Sequence, residues 1–181
     1  MSETEAPLND AAELAAIWAK RAKIVAQPPP PDPTGEEIQI LTFEINNKGY
    51  GIETRYIQGA YHLQQLTPVP RTPNFFVGLF NRRGHLIPVI DLYAFWGMAP
   101  IPITANSHVV VATQQQDGFD IGLLVDSVTG IITVFRTDLD PPLTTQPEAV
   151  SRSMLGIWQT AVLLDLNLLL ADQRLLIHED L

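Results

Sequence analysis

Residues 41–52 read LTFEINNKGYGI, and the pattern of this stretch indicates the kind of fold. Leu41, Phe43 and Ile45 alternate with polar residues, which is the period of a strand buried on one face. The turn-forming segment Asn46–Gly49 follows, and a second apolar run begins directly after it. The stretch therefore predicts a β-hairpin that opens a strand-rich domain.

Short apolar runs continue along the chain, separated by Gly, Pro, Asn and Asp. They occupy Phe75–Phe80, Leu86–Ile90, Val109–Ala112, Ile121–Val125, Ile131–Phe135 and Ala161–Leu164. Only brief helical segments are expected, after Asp91 and after Asp165. Many short strands at this spacing predict a mainly β fold, either a barrel or a sandwich.

Two parts of this region resemble each other. Gly51-Ile52 followed by Ile57–Ala60 is similar to Gly122-Leu123 followed by Val128–Ile131, at a constant offset of 71 residues. Other segments keep the same order at offsets of 78 and 74 residues. The chain is therefore predicted to contain two related β units of roughly seventy residues that close as small barrels. We expect the first barrel at about 45–105 and the second at about 106–165, with strands exchangeable between them.

A different kind of segment precedes these units. Residues 9–27 show the apolar spacing of a helix, and five prolines follow within residues 28–33. Because such a run forms a stiff polyproline II spacer, residues 1–35 are predicted as a helix plus spacer, and residues 36–181 as the main domain. Two interpretations stay open for the amphipathic helix: it docks onto a partner, or it folds back or frays.

Composition and charge exclude several classes of protein. The 181 residues include 20 acidic and 11 basic side chains and no cysteine, which excludes disulfide scaffolds and iron–sulfur clusters. The net charge of −9 argues against nucleic acid and anionic membranes as partners. No apolar run is long enough for direct membrane insertion and no signal peptide is visible, so we expect a cytoplasmic protein. Residues 36–100 are neutral and residues 101–181 strongly acidic, which predicts one neutral and one acidic barrel.

Patterns for catalysis, cofactors and metals are missing from the sequence. The four histidines are isolated and lack metal-site spacing, so we predict no metal site. They are His62, His85, His108 and His178. Asp91 and Asp165 are assigned to helix caps rather than to an acid–base pair. Without a nucleophile elbow or a phosphate loop, we predict no catalytic residue and no cofactor, and hence no enzyme.

An adjacent basic pair, Arg82-Arg83, lies within Asn81–Gly84. One interpretation is a solvated β-turn, since Asn-x-x-Gly is ordinary turn chemistry. The other is a cationic anchor for an acidic segment of a partner.

Several segments taken together resemble the CheW family. They are YGI at 50–52, TPVP at 67–70, NRRG at 81–84, PVIDL at 88–92, GLLVDSV at 122–128 and VLLDL at 162–166. The resemblance covers about residues 37–172 and implies two SH3-like five-stranded β-barrels. It also implies a non-enzymatic scaffold that couples the cytoplasmic tip of a chemoreceptor to the regulatory domain of a CheA-type histidine kinase. Further copies or other CheW-like domains are implied as additional partners, and membrane-associated receptor arrays as the location.

The resemblance also assigns partner-binding positions. They are Ile57, Val109 and Val128 along an apolar groove, Gly122 at a glycine linked to partner binding, and Gly59, Arg82 and Arg83. Two of these depart from the family pattern: Arg82 replaces a leucine, and Gly59 replaces an acidic residue. The glycine suggests an alternative function, a decoy or modulator that binds the kinase without normal receptor coupling. A small-molecule-binding β-barrel is the other alternative, and it requires a pocket with convergent polar groups.

Overall fold

The computed structural model describes residues 35–113, 118–142 and 147–175. The helix predicted at 9–27 and its proline spacer lie outside the described residues. No described helix is long and apolar enough to cross a membrane.

The described residues form ten strands and three short helices. The strands are β1 Glu37–Ile45, β2 Lys48–Glu53, β3 Ile57–His62, β4 Phe76–Arg82, β5 His85–Ile90, β6 His108–Thr113, β7 Asp120–Val125, β8 Ser127–Phe135, β9 Met154–Trp158 and β10 Ala161–Leu164. The helices are α1 Leu92–Phe95, α2 Glu148–Ser151 and α3 Leu166–Leu170, and 3-10 turns cover Thr54–Tyr56, Arg136–Asp138 and Gln173–Leu175. The predicted mainly β fold with brief helices is confirmed.

The strands form two five-stranded sheets. Sheet A has the order β8-β1-β2-β10-β9, and sheet B has the order β3-β6-β7-β5-β4. All neighbours are antiparallel except β2 with β10 in sheet A and β5 with β7 in sheet B. The two orders correspond position by position, with β2 equivalent to β7 and β3 equivalent to β8. The internal repeat predicted from the sequence is therefore confirmed in the strand order.

The division into two units at residue 105 needs correction. Strands β6 and β7, expected in the second unit, lie in sheet B with β3, β4 and β5, while β1 and β2 lie in sheet A with the last three strands. The chain leaves sheet A through the 3-10 turn at Thr54–Tyr56 and returns to it after Asp126. Each sheet therefore takes two strands from one repeat and three from the other, which is the exchange that the expectation allowed.

The opening hairpin forms as its sequence predicts. Leu41, Phe43 and Ile45 are buried on β1, and β2 pairs with it in antiparallel register. Asn46 and Asn47 form the connecting turn, with φ of 51° and 59°. Asparagine tolerates this left-handed conformation better than most residues, and it matches the twist of the two strands.

Two equivalent aspartates cap the helices that follow the repeated strands. Asp91 Oδ1 accepts hydrogen bonds from the backbone N–H of Tyr93 and Ala94 at 2.8 and 3.2 Å, and its Oδ2 accepts one from Ile101 at 2.8 Å. Asp165 Oδ1 accepts from Asn167 and Leu168. Burial raises the pKa of Asp91, although its backbone hydrogen bonds favour the charged form. Both predicted caps are confirmed, and their oxygens are engaged in backbone contacts.

A single large apolar cluster includes residues from both sheets. Tyr50 of β2 donates a hydrogen bond of 3.3 Å to the Tyr93 hydroxyl of α1, which in turn donates to Ile45 O at 3.3 Å. Burial raises the pKa of Tyr50, with the Tyr93 hydrogen bond as a further cause, so this phenol stays protonated. The two sheets therefore share one core, and a smaller apolar cluster fills part of sheet A.

Candidate partner-binding surface

Strand β3 is the outermost strand on one side of sheet B and carries two of the predicted partner-binding residues. Ile57, Gly59 and Tyr61 are half-buried, and the residues between them are exposed. Ile57 packs against the large core cluster. Only part of its side chain is therefore accessible to a partner.

Gly59 leaves room for the ring of Tyr61. A Cβ atom at position 59 would lie 2.7 Å from Tyr61 Oη and 3.0 Å from its Cζ, both too short for van der Waals contact. A side chain there would have to displace the tyrosine. The Tyr61 ring also lies beside Phe80 of β4, with centroids 5.8 Å apart, so it joins the two outermost strands of sheet B. The resemblance identified Gly59, but Tyr61 carried no signal in the sequence.

Arg82 and Arg83 lie at the β4–β5 hairpin. The Arg82 guanidinium carbon is 5.1 Å from the centre of the Tyr61 ring, within the range of a cation–π contact. Arg83 and Gly84 form the two-residue loop, with φ of 52° and 90°, and Asn81 Oδ1 accepts a hydrogen bond of 2.8 Å from the Gly84 N–H. The turn interpretation of this segment is confirmed, and it leaves the Arg83 side chain exposed.

The two arginines border an open hollow of about 240 Å³. Its lining residues are Arg82, Arg83, His85, Ile87 and Asp120. Four other arginines of the described chain have a carboxylate within 4.0 Å, but neither Arg82 nor Arg83 has one among the described residues. Asp120, the acidic lining residue, accepts a hydrogen bond from the Thr113 hydroxyl. The hollow therefore presents guanidinium groups with spare hydrogen-bond donors.

Val109 and Gly122 lie in the interior of sheet B. Val109 is fully buried, and a Cβ atom at Gly122 would lie 2.7 Å from Val109 Cγ1 and 2.9 Å from Val89 Cγ2. The expectation that Val109 lines an accessible groove is therefore corrected: β6 is flanked by β3 and β7, and its valine packs inward. Gly122 supports this region by letting the valines of neighbouring strands meet.

Val128 lies on β8, the outermost strand on one side of sheet A. It is half-buried and pairs with Phe43, next to a bulge in the β1–β8 register. Val128 and Ile57 pack against the same large core cluster from different sheets. The seven predicted residues thus fall into three groups: Gly59 with the two arginines around Tyr61 and the hairpin, the interior pair Val109 and Gly122, and the half-buried aliphatic residues Ile57 and Val128.

Two of the histidines that look isolated in the sequence come together in the fold. His62 and His108 are directly paired on β3 and β6, and their ring centroids are 5.1 Å apart. Residues 62 and 108 are too distant in sequence for spacing to reveal this contact. No group of three or more potential metal ligands occurs among the described residues.

The two sheets differ in net charge, as the prediction of one neutral and one acidic unit expects, but the boundary between them does not follow the division of the chain at residue 100. Residues 57–125, which contain all strands of sheet B, include three arginines and three aspartates. Residues 36–56 and 127–175, which contain all strands of sheet A, include nine acidic and five basic residues. The range of sheet B is therefore neutral, and the ranges of sheet A carry a net charge of −4, from nine acidic against five basic residues. Because the strands are exchanged, the acidic sheet A includes β1 and β2 from the neutral first part of the chain.

Comparisons with known proteins agree on one family. The model of the CheW-like domain matches residues 39–174. The chain is 27% identical to the chemotaxis protein CheW of Thermotoga maritima over 146 residues, which span 81% of this chain and 86% of that protein. It is 31% identical to the probable chemotaxis protein CheW of Rhizobium etli over 103 residues. These residues span 57% of this chain and 65% of that protein, which is just under two thirds. The crystal structure of the scaffolding protein TtCheW from Thermoanaerobacter tengcongensis has the same fold, with a TM-score of 0.63, 24% identity, and coverage of 75% of this chain and 88% of that one.

Proposed function

Because the chain belongs to the CheW-like domain family, we propose that it is a scaffold that couples the cytoplasmic tip of a chemoreceptor to the regulatory domain of a CheA-type histidine kinase. The observation that carries this proposal is the family match over residues 39–174, which spans both sheets. Relatives named chemotaxis protein CheW support the pathway. Such a scaffold acts by binding two proteins at once, so its functional sites are binding surfaces rather than a catalytic centre.

The receptor tip is proposed to lie against the accessible parts of Ile57 and Val128. Both aliphatic side chains are half-buried on outermost strands, and both rest on the large core cluster. A helix with an apolar stripe buries the remaining surface of such residues when it docks. The interior pair Val109 and Gly122 contributes by holding β6 and β7 beneath this surface.

The arginine hollow is proposed to fix the orientation of the partner. Arg82 is held against the Tyr61 ring and Arg83 projects from the hairpin loop, and no described carboxylate neutralises either of them. A guanidinium fork binds a carboxylate with two parallel hydrogen bonds, which specify direction as well as affinity. A partner segment that offers carboxylates fits this hollow.

Binding measurements with the full chain test the proposal. Calorimetry with a CheA-type regulatory domain and with a receptor cytoplasmic fragment from the same genome should detect both complexes. Arg83→Glu should weaken receptor binding roughly tenfold or more, because it opposes the carboxylates of the partner. Arg71→Glu is a matched control, since Arg71 is also exposed, has a positive φ of 66° and does not line the hollow. Absence of both complexes contradicts the function, and equal losses in both variants contradict the assigned site.

The second candidate function is a decoy or modulator that binds the kinase without normal receptor coupling, and the packing at Gly59 supports it. The Tyr61 ring occupies the space where a side chain at position 59 would project, so the surface here is aromatic and cationic rather than acidic. Kinase assays with reconstituted receptor arrays, where we expect a scaffold of this kind to be recruited, separate the two functions. A scaffold stimulates phosphorylation, whereas a decoy competes with the scaffold and lowers it.

A further inference from the structure

His62 and His108 face each other at a position where two strands come especially close. The Leu63 N–H donates to Ser107 O at 2.9 Å, so residues 63 and 107 form a hydrogen-bonded pair. The next pair along the antiparallel strands, 62 with 108, is then a non-hydrogen-bonded pair. In such pairs the Cα atoms are only about 4.5 Å apart, and the two side chains share one face of the sheet.

The hydrogen bonding of His108 leaves one ring nitrogen available. His108 Nδ1 lies 2.7 Å from Asn106 O. A carbonyl oxygen only accepts, so Nδ1 must donate, and in the neutral ring Nε2 then carries an unshared electron pair. Metal-ligating histidines typically have this arrangement, in which the other ring N–H is fixed by a backbone carbonyl or a carboxylate.

The surroundings of the pair select the kind of ion. His62 is exposed and His108 is half-buried, so the rings are accessible from solvent. No salt bridge in the described part of the chain links either ring to a carboxylate. Two imidazole nitrogens without oxygen donors suit Cu²⁺, Ni²⁺ or Zn²⁺ and are poor ligands for Mg²⁺ or Ca²⁺.

We propose that His62 and His108 form a two-histidine site for one transition-metal ion of the Cu²⁺, Ni²⁺ and Zn²⁺ class, with water completing the coordination. Metal–nitrogen bonds of about 2.1 Å require the two ligating nitrogens to lie within about 4 Å of each other. The ring centroids are 5.1 Å apart, so the exposed His62 ring has to turn about its side-chain bonds toward His108 Nε2, while the Asn106 carbonyl holds the His108 ring. The ion joins the outermost strand β3 to β6. An ion that fixes β3 also fixes Ile57, which lies on the same strand. Any consequence for receptor binding rests on the proposed function, whereas metal binding itself does not.

Titration of the untagged full chain with NiCl2 and ZnCl2, followed by calorimetry and by thermal unfolding, tests the site. We expect one ion per chain, a higher unfolding temperature with the ion, and no such effect from MgCl2. His62→Gln is the decisive variant, because its side chain is exposed and its loss should leave the fold intact. It should weaken binding roughly tenfold or more, as should His108→Gln. His85→Gln, another exposed strand histidine, should bind like the unchanged chain. Failure of the unchanged chain to bind either ion, or equal binding by His62→Gln, overturns the proposal.

Discussion

The close packing around Gly122 makes a quantitative prediction about stability. Gly122 lies on β7, the central strand of sheet B, and a Cβ atom there would meet Val109 Cγ1 at 2.7 Å and Val89 Cγ2 at 2.9 Å. Both valines are fully buried, so neither can swing into solvent. Overpacking of this kind costs about 1–3 kcal/mol, and the loss of chain entropy in the unfolded state returns about 0.4–1 kcal/mol. Gly122→Ala should therefore lower the free energy of unfolding by about 1–2 kcal/mol.

Urea unfolding measures this change against a matched control. With a slope near 2 kcal/mol per molar urea, the midpoint should fall by about 0.5–1 M. Gly49→Ala is the control, because the added Cβ atom would meet Ala161 Cβ at 3.5 Å, an ordinary contact. Its midpoint should stay unchanged or rise slightly. An unchanged midpoint for Gly122→Ala would refute the packing argument.

A double-mutant cycle identifies the atoms responsible. Val109→Ala removes one of the two methyl groups that obstruct position 122. The loss in Gly122→Ala/Val109→Ala should therefore be smaller than the sum of the single losses, by about 1 kcal/mol. Additive losses would show that Val109 is not the obstructing neighbour. Under conditions in which the Gly122→Ala chain is fully folded, it should bind the kinase as tightly as the unchanged chain does. Weaker binding under these conditions would indicate that residue 122 contacts the kinase directly.

The capping and charged groups make two further predictions. Asp91→Ala should lower the free energy of unfolding by about 2–4 kcal/mol in a denaturant titration, because three backbone N–H groups lose a buried acceptor. Asp165→Ala should lower it by only about 1 kcal/mol, because this side chain accepts two such bonds and is partly exposed. Hydrogen bonding to Arg174 lowers the pKa of Asp172 in the folded chain. The charged Asp172 therefore stabilises the fold at pH values above its unfolded pKa of about 3.9, and this contribution is lost as pH falls through the lower folded pKa. Asp172→Asn should therefore flatten the acid limb of stability measured by thermal unfolding between pH 5 and 2, and an unchanged slope would contradict this assignment.

Features carried by short segments were predictable. The alternation of Leu41, Phe43 and Ile45 predicted β1, and the asparagines after it predicted the hairpin turn. Asp91 and Asp165 were recognisable as caps because a capping side chain bonds to N–H groups two or three residues ahead. The repeat predicted two equivalent sheets, since similar segments fold into similar strands.

The candidate site was predictable only in part. Arg82 and Arg83 were identified from their motif, and the hairpin places them at one hollow. Tyr61 was missed, because its importance depends on Gly59 beneath it and on Arg82 across from it. Val109 was expected along a groove, but burial depends on which strands flank β6, and the alternation of residues does not reveal that.

Local sequence specifies the strands, the turns, the caps and the existence of two related units, because each depends on interactions among neighbouring residues. Which strands share a sheet, in contrast, depends on the tertiary structure. Pairing β1 and β2 with β8, β9 and β10 is settled by long-range packing in a shared core. That exchange redistributes the acidic residues between the sheets, and the pairing of β3 with β6 brings His62 to His108. Sheet B is therefore neutral and sheet A acidic, with a boundary that differs from the one along the chain. In the same way, two histidines 46 residues apart in sequence become neighbours.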